Sequence, residues 1–144
     1  MKRGFTLIEL AVTLLVVAVG IAVAAPSLAR GLDTVRARAE TAGIATFLRA
    51  ARERAITQNR PYEVRVNTAD GVIELRTGET VLATRRLALG VRVVADPPTN
   101  NTVTFLPQGL SSGGRLHVEG PGRRAYLVTV DALTGRVATR RFDT

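Results

Sequence analysis

Few side chains in this sequence are of a type and in a place to do chemistry, and the most exposed of them to question is Glu9. From Phe5 to Ala25 it is the only charged residue, and Thr6 and Thr13 are the only other polar side chains. A carboxylate in hydrocarbon costs on the order of 3 kcal/mol on insertion scales, so Glu9 either snorkels to the headgroups or meets a cationic partner. A second candidate is Gly109-Leu110-Ser111-Ser112-Gly113, which has the G-x-S-x-G spelling of a nucleophile elbow. An elbow needs a strand before its serine, a helix after it, and an acid and then a histidine further on. Here a strand pattern follows Gly114, and the sole histidine, His117, comes with no acid between, so the string reads as a flexible loop. His117 alternates with Leu116 and Val118, which points it to the other face of their strand, and only Glu119 stands near it as a further metal ligand. The 12 acidic residues are scattered singly, without a calcium-binding D-x-D string. There is no glycine loop followed by lysine to cradle a phosphate. Cysteine is absent, which removes disulfides, thiolate nucleophiles and thiolate metal ligands together. These residues point to no enzyme, no cofactor, no metal and no small-molecule substrate.

The remaining chemistry is charge. There are 20 basic against 12 acidic side chains, and every basic residue but Lys2 is arginine. From Arg85 to Arg141 nine arginines face only Asp96, Glu119 and Asp131. Arg123 and Arg124 fall in a turn, and Arg136, Arg140 and Arg141 in the last strand and tail. Arginine's planar fork suits phosphate and carboxylate. With only Tyr126 and Phe142 nearby to stack on bases, DNA contact by these five arginines would be phosphate-driven, salt-sensitive and weakly sequence-selective. Genomic base composition also enriches arginine, which leaves a solvated surface as the alternative.

The elements that must position these groups begin with the apolar run. Phe5 to Ala25 spans 21 positions, and a bilayer core needs about 20 helical residues. Lys2 and Arg3 precede it, which puts the N-terminus in the cytoplasm and everything after Pro26 outside. An ordinary secretory signal with Ala22-Val23-Ala24 as its cleavage site is the competing reading. Against it stand Glu9 and an apolar stretch longer than the roughly 7 to 15 residues of such signals.

The order of residues at this end carries a resemblance. Gly4, Phe5, Thr6, Leu7, Ile8 and Glu9 after a short basic leader resemble the processing signal of type IV pilins and type II secretion pseudopilins. The resemblance implies cleavage by a prepilin peptidase after Gly4, methylation of the new amino terminus at Phe5, and pairing of Glu9 with the N-terminal ammonium of a neighbouring subunit. Opposite charges in such a low-dielectric bundle attract strongly.

Beyond the anchor, Pro26 removes a backbone donor, and a kink is expected there. Helical periodicity resumes, with Leu28, Leu32, Val35, Ala39, Ala42, Ala45 and Leu48 on one apolar face. Arg36 with Glu40 and Arg49 with Glu53 are i,i+4 pairs on the wet side. Gly31 and Gly43 each weaken the helix by about 1 kcal/mol relative to alanine. The helix runs to about Thr57 and stops at Gln58-Asn59-Arg60-Pro61. From there the period is two. Tyr62–Val66, Ile73–Leu75 and Thr80–Arg86 form a meander with turns at Thr68–Gly71 and Thr77–Glu79. Val91–Ala95, Val103–Leu106, Arg115–Glu119, Ala125–Val130 and Arg136–Phe142 follow, with Asp96–Asn101 as a loop. One long helix packed on an antiparallel β-sheet domain is an α+β arrangement.

Leu48 to Ile56, then Phe105 and Gly109, then Gly135-Arg136-Val137 are similar to the H-type minor pseudopilins of the GspH and FimT kind. That resemblance implies a pilin-like fold. Its expected parts are a leader (1–4), a transmembrane and assembly helix (5–25), its amphipathic continuation (26–58) and a periplasmic β-rich domain (59–144). It also implies a minor subunit of a type II secretion pseudopilus or type IV pilus, held in the inner membrane until assembled with other pilin subunits. Some minor pilins of DNA-uptake systems carry a Gly-Arg-x-Arg tail. This chain keeps Gly135 and Arg136 but has Ala138 in the fourth place, with Arg140 and Arg141 beyond, so DNA uptake is the alternative role.

Overall fold

The computed structural model describes residues 6–121 and 125–142, and of residues 26–30 the backbone only. Helix α1 (Leu7–Thr57) is one run of 51 residues, about 77 Å at the standard rise. It continues through Pro26 and ends where expected. Asn59 takes a left-handed φ of 49°, the amide of Arg60 bonds Ala55 O and that of Asn59 bonds Ile56 O. This pair of reversed bonds closes the carbonyl end of a helix, and asparagine tolerates the left-handed turn better than most residues. Tyr62 and Arg60 then fold back on the cap, with the Tyr62 hydroxyl donating to Gln58 Oε1 and Arg60 Nε donating to the hydroxyl at 3.1 Å.

Eight strands follow: β1 (Tyr62–Asn67), β2 (Val72–Thr77), β3 (Thr80–Arg86), β4 (Arg92–Asp96), β5 (Thr102–Phe105), β6 (Gly114–Glu119), β7 (Ala125–Val130) and β8 (Val137–Phe142). They match the strands expected from alternation to within a residue or two. The antiparallel β-sheet domain expected is divided in two. There are two four-stranded sheets, ordered β3-β2-β1-β5 and β4-β6-β7-β8. Every ladder is antiparallel. Alternation fixes which face of each strand is buried but carries no information on which strands pair, so the split was not readable from period alone.

One core joins the helix to both sheets. Ile44, Leu48, Ala51 and Ala55 meet Tyr62, Val64, Ile73, Leu75, Val103 and Phe105 of the first sheet and Val93, Leu116, Val118 and Val128 of the second. Register explains the sharing. Val64 lies across from both Leu75 and Val103, and Leu116 across from Val128 and Ala95, so each pair projects to the same side. Burying a side chain of this size contributes roughly 1.5–3 kcal/mol.

The phase of the helix differs from expectation. Of the seven residues expected on its buried face, Ala45 and Leu48 are buried, whereas Leu32, Val35, Ala39 and Ala42 are exposed and Leu28 lies where side chains are not described. The buried stripe is instead Ala37, Thr41, Ile44, Leu48, Ala51 and Ala55. Apolar residues occupy both sides of this segment, and the domain covers only the one that continues into the last turns. The wet-side pairs are corrected too. Arg36 reaches Asp33 at 3.9 Å, and Arg49 donates to Val137 O at 3.2 Å. Glu40 turns inward, 8% exposed, and accepts from Arg85 Nη2 of β3 at 3.1 Å. Gly43 makes room for that arginine, since a Cβ there would stand 2.3 Å from Arg85 Nη2.

The β7–β8 turn is held by Asp131. Its Oδ1 accepts from the Thr134 amide at 2.8 Å and the Thr134 hydroxyl at 2.7 Å. The hydrogen bond from the Thr134 side chain, and then that from its backbone, hold the Asp131 carboxyl below its ordinary value.

Arg85→Ala leaves the Glu40 carboxylate buried without its donor and should cost about 2 kcal/mol in urea unfolding. Gly43→Ala should gain less than the roughly 1 kcal/mol usual for a helix in the parent chain, and the full amount in the Arg85→Ala background. Equal gains in the two backgrounds would contradict the contact. For Asp131 the folded value lies below the unfolded one, so its stabilisation is present above the ordinary range near about pH 3.9 and is lost as pH falls through the folded value. NMR titration should give a midpoint below the ordinary value, Thr134→Ala should raise it, and protection of the residue 134 amide should disappear in the same step as the carboxyl protonates.

Candidate functional site

Gly4 and Phe5 lie outside the described residues, as do Arg123 and Arg124. What the structure places at this end is Thr6 and Glu9. Thr6 is the N-cap of α1, in extended conformation, and its hydroxyl accepts from the Glu9 amide at 3.3 Å. The spelling Thr-x-x-Glu is the sequence signature of a capping box, a signal overlooked when Glu9 was read only as a charge in an apolar run. Glu9 is thus an acidic residue in the first turn, where the helix dipole favours negative charge. Among the described residues no cation pairs with its carboxylate.

Leu7–Ala25 is 19 residues of apolar helix with none of it buried. At the standard rise it is about 29 Å long, close to the thickness of a bilayer core. On the next four turns the face turned away from the domain carries Leu32, Val35, Ala39 and Ala42, all exposed, Val35 at 65%. An amphipathic helix buries one stripe, and this one presents a second with no partner among the described residues.

The domain end of α1 is different in kind. Arg52 Nε donates to Gly109 O at 3.2 Å. Gly135, with φ of 61°, lies so close that a Cβ on it would stand 2.4 Å from that same oxygen and 2.8 Å from Arg52 Nε. Helix, β5–β6 loop and β7–β8 turn therefore meet at two glycines, Gly109 and Gly135, which the sequence resemblance had singled out without a reason. The loop itself is pinned and is not flexible as expected. Ser111 is buried, its hydroxyl donates to Asp131 O at 2.9 Å, and its amide bonds Ala132 O. A strand follows, which suits a structural serine rather than a nucleophile.

Among the described C-terminal arginines, Arg140 and Arg141 do not share one surface. Arg136 precedes β8 and is exposed. Arg140 lies across from Leu127, on the face where His117 stacks edge-on against Phe142 at 5.3 Å. Arg141 lies across from Tyr126, which lies across from the buried Val118, and so belongs to the opposite face. His117 does point away from Leu116 and Val118, with Asp96 at 3.8 Å. Among the described residues no three acidic or histidine side chains gather as a metal site would require.

Comparison with known proteins agrees with this anatomy. The family model for type II transport protein GspH matches residues 40–134, more than half of the chain, and that for the prokaryotic N-terminal methylation motif matches residues 1–25. Type II secretion system protein H of Xanthomonas campestris pv. campestris is 28% identical over 138 residues, covering 94% of this chain and 81% of that protein. Among solved structures, the type IV minor pilin FimU of Pseudomonas aeruginosa superposes with a TM-score of 0.62 at 11% identity, over 72% of this chain and 91% of that one. The minor pseudopilin EpsH from the type 2 secretion system of Vibrio cholerae superposes with a TM-score of 0.53 at 13% identity, over 76% and 95%. The chain belongs to the GspH family of type II transport proteins, pilin-like minor subunits of type II secretion or type IV pilus systems.

Proposed function

We propose that the chain is cleaved after Gly4 by a prepilin peptidase, methylated at Phe5, and held by Phe5 to Ala25 in the inner membrane with its β domain in the periplasm. From there it passes into a filament of pilin subunits that serves protein secretion or pilus biogenesis. The observation that carries this reading is the helix itself. An apolar stretch with no burial and a second apolar stripe opposite the domain both need partners from outside the chain, and helices of neighbouring subunits supply them. Pro26, at the exit from the apolar run, is where the assembly helix can bend without loss of the cap or of the domain.

Glu9 is the polar element of that packing. In the helix bundle of a filament its carboxylate loses water and takes the Phe5 ammonium of a neighbour as counter-ion, a pairing that also sets the axial register between subunits. A carboxylate without that partner would be left in a low-dielectric bundle, at a cost of several kcal/mol. DNA uptake has less support, because the register sends Arg140 and Arg141 to opposite faces.

Glu9→Ala should lower incorporation into filaments by about tenfold or more, corresponding to roughly 1.4 kcal/mol or above per subunit, while the unfolding midpoint of the β domain stays that of the parent. Pull-down of sheared filaments measures the first and circular dichroism the second. Normal incorporation of the variant would refute the role given to Glu9.

A further inference from the structure

At the last two turns of α1 a groove of about 530 Å³ opens between the helix and the start of β8, lined among others by Arg49, Arg52, Glu53, Ile56, Arg136 and Val137. Two of its arginines are fixed by the fold. Arg49 spends one donor on Val137 O, and Arg52 spends Nε on Gly109 O. A guanidinium has five N–H donors, so each keeps others for a ligand, and the Arg136 side chain is exposed at the groove. Three fixed positive charges against the one carboxylate of Glu53 give the groove a net positive character, and Ile56, 42% exposed, adds an apolar wall.

We propose that this groove binds an extended acidic segment of a neighbouring subunit, with a carboxylate held by Arg52 and Arg136 and an adjacent aliphatic side chain laid against Ile56 and Val137. Arginine's fork matches a carboxylate in two parallel hydrogen bonds. A nucleic acid fits less well. A phosphate backbone presents continuous negative charge and needs a long basic track, and of the two arginines farther along β8 only one can lie on any given face, since Arg140 and Arg141 point opposite ways. Position also favours a subunit. Arg52 stands 43 residues along α1 from Glu9, about 65 Å, at the end of the helix farthest from the anchor, where the next subunit would meet it. The proposal rests on the assembly reading for the identity of the partner.

The test uses the full chain in non-ionic micelles, titrated with the peptide Ac-Glu-Leu-Glu-NH2 and with its neutral counterpart Ac-Gln-Leu-Gln-NH2, followed by the amide shifts of Ile56, Gly135 and Val137. The acidic peptide should saturate these shifts, and the neutral one should bind at least about tenfold more weakly. Arg136→Ala should weaken the acidic peptide about fivefold or more with an unchanged unfolding midpoint. No shift, equal shifts with both peptides, or no effect of Arg136→Ala would overturn the site. So would a 12-base-pair DNA duplex that binds at these amides more tightly than the peptide, with a steep fall in added salt. If the peptide fails to bind while Glu9→Ala still blocks incorporation, only the groove is refuted. If the peptide binds while the parent chain itself does not enter filaments, the assembly reading fails instead and the partner must be another protein.

Discussion

Helix α1 carries two incompatible solvation demands, and the rest of the molecule is arranged around the point where one gives way to the other. Its first 19 residues are apolar apart from Glu9 and Thr13 and contribute nothing to the core. Its last 20 or so pack one face against both sheets through Ile44, Leu48, Ala51 and Ala55. Most helical stability in a folded protein comes from packing of an amphipathic face rather than from local propensity. The domain supplies that packing at one end only. The other end has to be stabilised by lipid, and then by whatever replaces lipid in an assembly.

The joint between helix and domain is polar where it might have been wholly greasy. Glu40 with Arg85, Arg49 with Val137 O, and Arg52 with Gly109 O are all contacts from the helix into strands or loops. Each is directional, so together they fix rotation of the helix about its own axis in a way that a stripe of alanines and leucines does not. Gly43 and Gly135 belong to the same device, since a Cβ at either would collide with the arginine that makes the contact. The consequence for function is mechanical. A subunit whose helix cannot rotate against its domain presents its exposed stripe and its distal groove at a set angle to each other. Subunits stacked by their helices would therefore align their domains as well.

Much of this was legible in the sequence, and the failures have identifiable causes. The anchor was plain because 21 residues with one charge have few structural uses. The eight strands were plain because alternation survives in short segments. The helix phase was misread because Leu32, Val35, Ala39 and Ala42 form as good a stripe by spacing as Ala37, Thr41, Ile44 and Leu48 do. Spacing cannot tell which of two apolar faces meets the chain's own domain and which is kept for another molecule. Glu40 was assigned to solvent because Arg36 lies four residues before it. Its actual partner, Arg85, is 45 residues away, and nothing local predicts such a pairing. The meeting of Arg52, Gly109 and Gly135 was hidden for the same reason, although the two glycines had drawn notice. The missed capping box at Thr6 was a local signal and could have been found.

The central claim is that the stripe opposite the domain is kept for neighbouring subunits. The chain has no cysteine, so single cysteines can report on it without background. Val35→Cys and Ala42→Cys, with Glu79→Cys in the exposed β2–β3 turn as control, would be reacted with a water-soluble maleimide before and after filament assembly. The account predicts that positions 35 and 42 lose most of their reactivity on assembly while position 79 keeps its own. Unchanged reactivity at 35 and 42 in assembled filaments would contradict it.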